Sequence, residues 1–328
     1  MISELLRTNR ITAFVIVVLQ FFLFIVMGIG VGHEPSMGTS GLIDSAMYLA
    51  INKQPWLGSV LAILLIALSA LAVQSLVSRA NTRTTLSLEP MFWFIGLSMP
   101  YVLSNHPLPI LFAQLFLILA VRRLMALEAD KRAFFIAFDC GMLICIAALF
   151  NIFYGLGVVL ILMAISAVRT MQWRDVIWSI IGLLLPVYFI SAGRYLMGYT
   201  YVSPMNYFSI PGDVIVMHNM ALLLFILLSL VLLVFSIWAN ISARGSHNIR
   251  KRNVNLIVFS LLILSIVIAG LNSANGYNGM TLCILALPIS LITTDLFDDV
   301  KRARITNGLT MVWIITGLAS LVWLVVNN

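Results

Sequence analysis

The chain has 328 residues, 62% of them hydrophobic and 9% charged, with a mean hydropathy of +1.07. Soluble domains carry about 25% charged residues, so these proportions exclude an ordinary water-soluble globule and point to a multi-pass membrane protein. The net charge of +7 is no sign of a nucleic acid partner: the Lys and Arg side chains lie in short connections beside apolar runs, where membrane orientation accounts for them.

Apolar runs recur along the whole chain, against the ~20 residues that a helix needs to cross a ~30 Å hydrocarbon core. Eleven are expected to be spans of an all-α transmembrane bundle, near 12–31, 56–78, 90–105, 107–121, 134–150, 152–168, 176–196, 220–239, 255–271, 280–296 and 306–326. The first run is followed by "GVGHEPSMG" and not by a small-x-small cleavage site, so it reads as a retained span. Placing the N-terminus in the cytoplasm puts 17 of the 19 Lys and Arg residues on the cytoplasmic side, leaving only Lys53 and Arg194 outside. Basic residues accumulate on that side of short loops. The expected topology is therefore N-terminus inside and C-terminus outside, a single domain over 1–328 in a bacterial inner (cytoplasmic) membrane.

The first long external connection, 32–55, contains Leu42, Ile43, Ala46, Met47, Ala50 and Ile51 at helical spacing, with Asp44, Ser45, Tyr48 and Asn52 on much of the opposite face. A short helix in the membrane interface has this pattern. Asp44 would be the carboxylate on its wet side, with Glu34 upstream. An ordinary connecting loop with solvated polar residues accounts for the same composition.

The segment "KRAFFIAFDCGMLI" places Asp139 seven residues past Arg132, about 10 Å of helix rise inward. That depth is interfacial. An intramembrane acid is a functional candidate by default, yet Arg122, Arg123 and Arg169 lie at the same cytoplasmic level. Pairing with one of them lowers the cost of a carboxylate in low dielectric, so Asp139 is read as structural, with proton coupling as the sharper alternative. Cys140, Cys145 and Cys283 have no pairing or metal-ligand spacing and read as small packing residues.

The second long external connection, 197–219, is rich in Tyr, Pro and Asn and carries Asp213 and His218. Aromatic residues there serve as interface anchors, and the same residue types suit a sugar or lipid head group. His33 and His106 are also assigned to the external face, so with Glu34, Asp44, Arg194, Asp213 and His218 they form a candidate external polar site. Near the C-terminus, Asp295, Asp298 and Asp299 precede Lys301, Arg302 and Arg304. Helical ion pairs in a solvated cytoplasmic loop explain this spacing, and no metal site is expected. No HExxH, Walker loop, GxSxG or paired CxxC occurs.

Residues 110–190 carry a recognisable order of short motifs: Arg122 and Arg123, then Phe138, Asp139 and Gly141, then Ala147, Leu149 and Phe150, then Trp173, Arg174 and Asp175, then Gly182 and Pro186. In this order they resemble an uncharacterised family of multi-pass inner-membrane proteins found in Bacteroidota. That resemblance implies a location and a topology without a reaction. In layout alone, the chain is also similar to membrane glycosyltransferases that use polyprenyl-phosphate-linked sugars. This second similarity implies a catalytic carboxylate in the first external loop, at Asp44 or Glu34, with Arg194 or His218 holding the donor phosphate. The paired acidic motif common in such enzymes is absent from this chain.

Three functions are expected from these readings: transfer of an envelope-glycan or lipid-linked sugar at the external face, a non-catalytic scaffold for a membrane protein partner, or transport. Membrane lipid is a partner in all three. A transporter would carry midplane charges or a two-half pattern, which this sequence lacks, although Pro100, Pro186, Pro288 and Gln114 lie within its spans.

Overall fold

The computed structural model describes residues 10–30, 55–80, 88–105, 108–127, 133–168, 170–197, 220–242, 249–274, 281–296, 308 and 310–317. These form α1 (Arg10–Gly30), α2 (Pro55–Ala80), α3 (Glu89–Asn105), α4 (Leu108–Met125), α5 (Ala133–Phe150), a 3-10 turn (Ile152–Leu156), α6 (Gly157–Val168), α7 (Trp173–Leu196), α8 (Met220–Ser242), α9 (Ile249–Ala274) and α10 (Thr281–Leu296). A further helical stretch covers 310–317, and no strand occurs among the described residues. Among the described residues, four helical stretches are long and apolar enough to cross a membrane: Val60–Val77, Leu108–Met125, Trp173–Leu196 and Arg250–Ser273. Five shorter apolar helices accompany them.

Helices α1 to α10 and the 3-10 turn follow the first ten apolar runs to within about six residues, and the differences have local causes; of the run expected at 306–326, only 308 and 310–317 are among the described residues. The run expected at 176–196 begins as a helix at Trp173 because the Asp175 carboxylate, in the first turn, accepts the Gln172 backbone N–H at 3.2 Å. An acid there suits both the free N–H groups and the helix dipole. The run at 255–271 is the apolar part of a longer helix that starts at Ile249 and includes Arg250, Lys251 and Arg252. Hydropathy marks the part that suits hydrocarbon; helical hydrogen bonding continues past it.

Packing sets the direction of each helix. Arg123 near the end of α4 meets Asp139 near the start of α5 at 3.4 Å, while Phe112 in the second turn of α4 stacks on Phe150, the last residue of α5, with centroids 5.0 Å apart. These two helices are therefore antiparallel. Asn255 near the start of α9 donates to Asn240 near the end of α8 at 2.9 Å, so α8 and α9 are also antiparallel. By contrast α5 and α7 run parallel: Phe134 meets Trp178 near the start of both, with ring centroids 6.1 Å apart, and the Cys145 thiol reaches the Val187 backbone further along both.

Between helices in lipid there is little hydrophobic gain, so close packing and interhelical hydrogen bonds hold the bundle. Trp93, Phe94 and Ile95 of α3, Ile110, Leu117 and Ile118 of α4 and Leu287 of α10 are all buried at its centre. Trp93 lies 4.8 Å from Trp313, ring to ring, and Trp313 Nε1 donates to Ser229 Oγ of α8 at 3.0 Å. The exception is α7, of which 11% of the span is buried, against 44 to 61% for the other three long spans. It lies along α5 by one face and exposes Ile177, Trp178, Ile181, Leu184, Tyr188 and Phe189.

Candidate functional site

The two hydrogen-bonded pairs that join the residues farthest apart in sequence lie at one end of the bundle. Asn151 follows α5 directly in an extended conformation, and its side-chain oxygen accepts the Phe153 N–H at 3.1 Å, which starts the 3-10 turn. Its amide Nδ2 donates to Asn272 Oδ1 at 2.6 Å, and Asn272 Nδ2 in turn donates to the Ile268 carbonyl at 2.8 Å. Both asparagines are fully buried. Gln114 of α4 donates from Nε2 to the Cys283 carbonyl of α10 at 2.7 Å, and the Cys283 thiol donates back to Gln114 Oε1 at 3.4 Å. Cys283 thus packs as expected and also answers both polar atoms of the Gln114 amide. Such reciprocal satisfaction is what makes a buried amide tolerable in low dielectric.

Tyr154, in the 3-10 turn, adds a third polar group to this end. It is 0% exposed, and its hydroxyl has no hydrogen-bond partner among the described residues.

The same end carries the two long connections. Asn151 and Asn272 put the ends of α5 and α9 side by side, and Gln114, in the second turn of α4, and Cys283, in the first turn of α10, do the same for the starts of those helices. Because α7 is parallel to α5, and α8 is antiparallel to α9, α7 ends and α8 begins at this same end. The connection 198–219 attaches there. The end of α3, two residues before α4, and the start of α2, after the connection 31–54, lie there by alternation of direction along the chain. Arg194, partly buried in the last turn of α7, is also at this end. The opposite end gathers Arg122, Arg123, Arg174, Arg250, Lys251 and Arg252. The basic side chains thus gather at this second pole, where the buried Asn240 amide meets Asn255, while Asn151, Asn272 and Gln114 lie at the first.

Of the residues expected to form an external site, Glu34, Asp44, His106, Asp213 and His218 lie outside the described residues, as do the amphipathic segment 42–52, Arg169 and the side chains of Asp295, Asp298 and Asp299. Arg194 is the member of that set that the structure describes. At the basic pole, Arg123 Nη2 lies 3.4 Å from Asp139 Oδ2, with the two side chains 58% and 39% exposed. Arg122 beside it is partly buried. Among the described residues, no three His, Cys, Asp or Glu side chains come together as a metal site would require.

The motif order that the sequence displays has a structural explanation. Arg123 and Asp139 join α4 to α5. Gly141 and Gly182 each let one helix backbone rest on the other, since a Cβ at either would overlap Ser179 O or Phe138 O. Asp175 starts α7, and Phe150 stacks on Phe112. These positions form a clasp between α4, α5 and α7. Sequence reasoning missed the asparagine pair, Tyr154 and the buried Glu89 that begins α3. Asn151, alone between two apolar runs, was the signal available for the pair.

Fold and pole geometry define an all-helical bundle with helices suited to a membrane and a buried polar layer beneath one face. Residues 38–325 match the family of unknown function DUF6427, and the chain belongs to that family. No curated protein and no solved structure matches it.

Proposed function

We propose that this protein is a multi-pass protein of the bacterial inner membrane, with eleven spans and a cytoplasmic N-terminus, that transfers an envelope-glycan or lipid-linked sugar at its external face. The observation that carries this reading is the polarity of the bundle. Asn151, Asn272, Gln114, Tyr154, Arg194 and the helix ends that flank both long connections belong to one pole, and the other described basic residues, of the kind that favours the cytoplasm, belong to the other. A polyprenyl-phosphate-linked sugar would present its phosphate at the level of Arg194, with Asp44 acting as general base or orienting the acceptor. In this reading His106, Asp213, His218 and Glu34 are further candidates for the external site.

The test is native mass spectrometry of the full chain in mild detergent, as wild type and as Asp44→Asn. Co-purification of a polyprenyl-phosphate sugar, altered by the substitution, supports transfer. Bulk phospholipid alone, unchanged in the variant, removes it. A second reading, a non-catalytic scaffold, is favoured by the exposed aromatic flank of α7. It predicts that a second membrane protein co-purifies and that Asp44→Asn changes nothing.

A further inference from the structure

The start of α7 places a single charge at the head of an apolar stripe. Arg174 is exposed, and Ile177, Trp178, Ile181 and Leu184, all exposed, follow it at helical spacing, so the five share the side of α7 that is turned from α5. The inward side is taken by Gly182, against Phe138, and by the buried Asp175, which accepts the Gln172 N–H. The charged group presented outward is therefore the cation. Trp178 also meets Phe134 and Phe138 of α5, with ring centroids 6.1 and 6.0 Å away, and Phe135 next to them is exposed. These rings widen the stripe into a ledge across the seam between the two helices.

We propose that this ledge holds one anionic phospholipid, with its phosphate at Arg174 and an acyl chain along the stripe. The lengths agree. Arg174 and Leu184 are separated by ~15 Å of helix rise, half of a ~30 Å hydrocarbon core and so the depth of one leaflet. The chemistry agrees as well. A guanidinium matches a phosphate through paired N–H donors. Trp173, exposed at the same level with the Arg174 guanidinium 5.7 Å from its ring centroid, is a residue type that settles at head-group depth. A second helix is a poorer occupant, because helices in lipid approach one another through small residues, and Gly182 of this span is already turned onto α5. The site rests on the membrane reading above and is independent of sugar transfer.

Trp178 reports on the site directly. The full chain is reconstituted in phosphatidylcholine vesicles that contain a minor fraction of phosphatidylglycerol, with bromine on the acyl chains of one lipid or of the other. The Trp178 emission is the difference between wild type and Trp178→Phe. Phosphatidylglycerol is expected to be favoured at Trp178 by about fivefold, the size of one basic residue's attraction to anionic lipid. Arg174→Gln should remove the preference, Arg174→Lys should keep most of it, and Arg252→Gln, at an exposed cation on α9, should leave it unchanged. Equal association of the two lipids in wild type overturns the site. So does a preference that survives Arg174→Gln, or one that falls equally with Arg252→Gln and so belongs to the field of the whole basic pole. Protection of Trp178 from both lipids and from aqueous iodide means that a protein covers α7, which also overturns it. Quenching by iodide and by neither lipid would place α7 outside the bilayer, and the membrane reading itself would fall.

Discussion

Glycines 141 and 182 set the distance between α5 and α7, because each faces the other helix's backbone where no Cβ fits. Gly141→Ala or Gly182→Ala should each cost about 1–3 kcal/mol, as overpacking does, read as a lower unfolding temperature in detergent. Gly193, on the same helix, has nothing within 4 Å of an added Cβ. Gly193→Ala should therefore be neutral or stabilising by up to ~1 kcal/mol through helix propensity. Opposite signs on one helix separate packing from propensity. Asn151→Ala strips Asn272 of its buried partner and should cost about 1–3 kcal/mol. A double-mutant cycle with Asn272→Ala should return a coupling of about 0.6 to 1.7 kcal/mol, the range for hydrogen bonds between membrane helices. Asp139→Asn, at an ion pair exposed on both sides, should cost less than about 1 kcal/mol. A much larger loss, or loss of activity without loss of stability, would return Asp139 to the functional candidates.

At the scale of elements, α7 differs from the rest. It is about 36 Å long, is attached along one face, and directs large apolar side chains away from the bundle. In a membrane that face meets acyl chains or another helix. Trp173 and Trp178 are 69% and 38% exposed, whereas Trp93 and Trp313 are 1% and 2%. In vesicles of brominated lipid, variants that keep only Trp178 should be strongly quenched, and those that keep only Trp93 or Trp313 should not. Protection of Trp178 would mean that another protein covers α7, which favours the scaffold reading over direct lipid contact. The Trp173-Arg174-Asp175 start of this helix also shows why a recurring motif need not be chemical: Asp175 is buried and engaged with the Gln172 N–H.

At the scale of the whole molecule, the two poles make a prediction about sides. Single cysteines placed at 128–132 should react with a membrane-impermeant maleimide only after the cytoplasmic face is opened. Those placed at 198–219 should react in intact cells. Labelling of both loops from the same side would remove the proposed topology, and with it the external location of Asp44, Arg194 and His218.

The sequence by itself determined that this protein is a helical bundle suited to a membrane and where its helices run. Apolar run length is a local property, and the hydrocarbon thickness converts it directly into a helix. It also made the Arg123 and Asp139 pairing legible, because their levels follow from counting residues. The tertiary structure alone decided which buried polar groups answer one another. Gln114 and Cys283 are 169 residues apart, and Asn151 and Asn272 are 121, so no periodicity links them. A thiol read as packing became a hydrogen-bond donor, and two glycines that stood only as members of a motif order became the contact that seats α7. Each of these depends on which helix lies beside which, and in lipid that choice is made by shape and hydrogen bonding, which hydropathy does not encode.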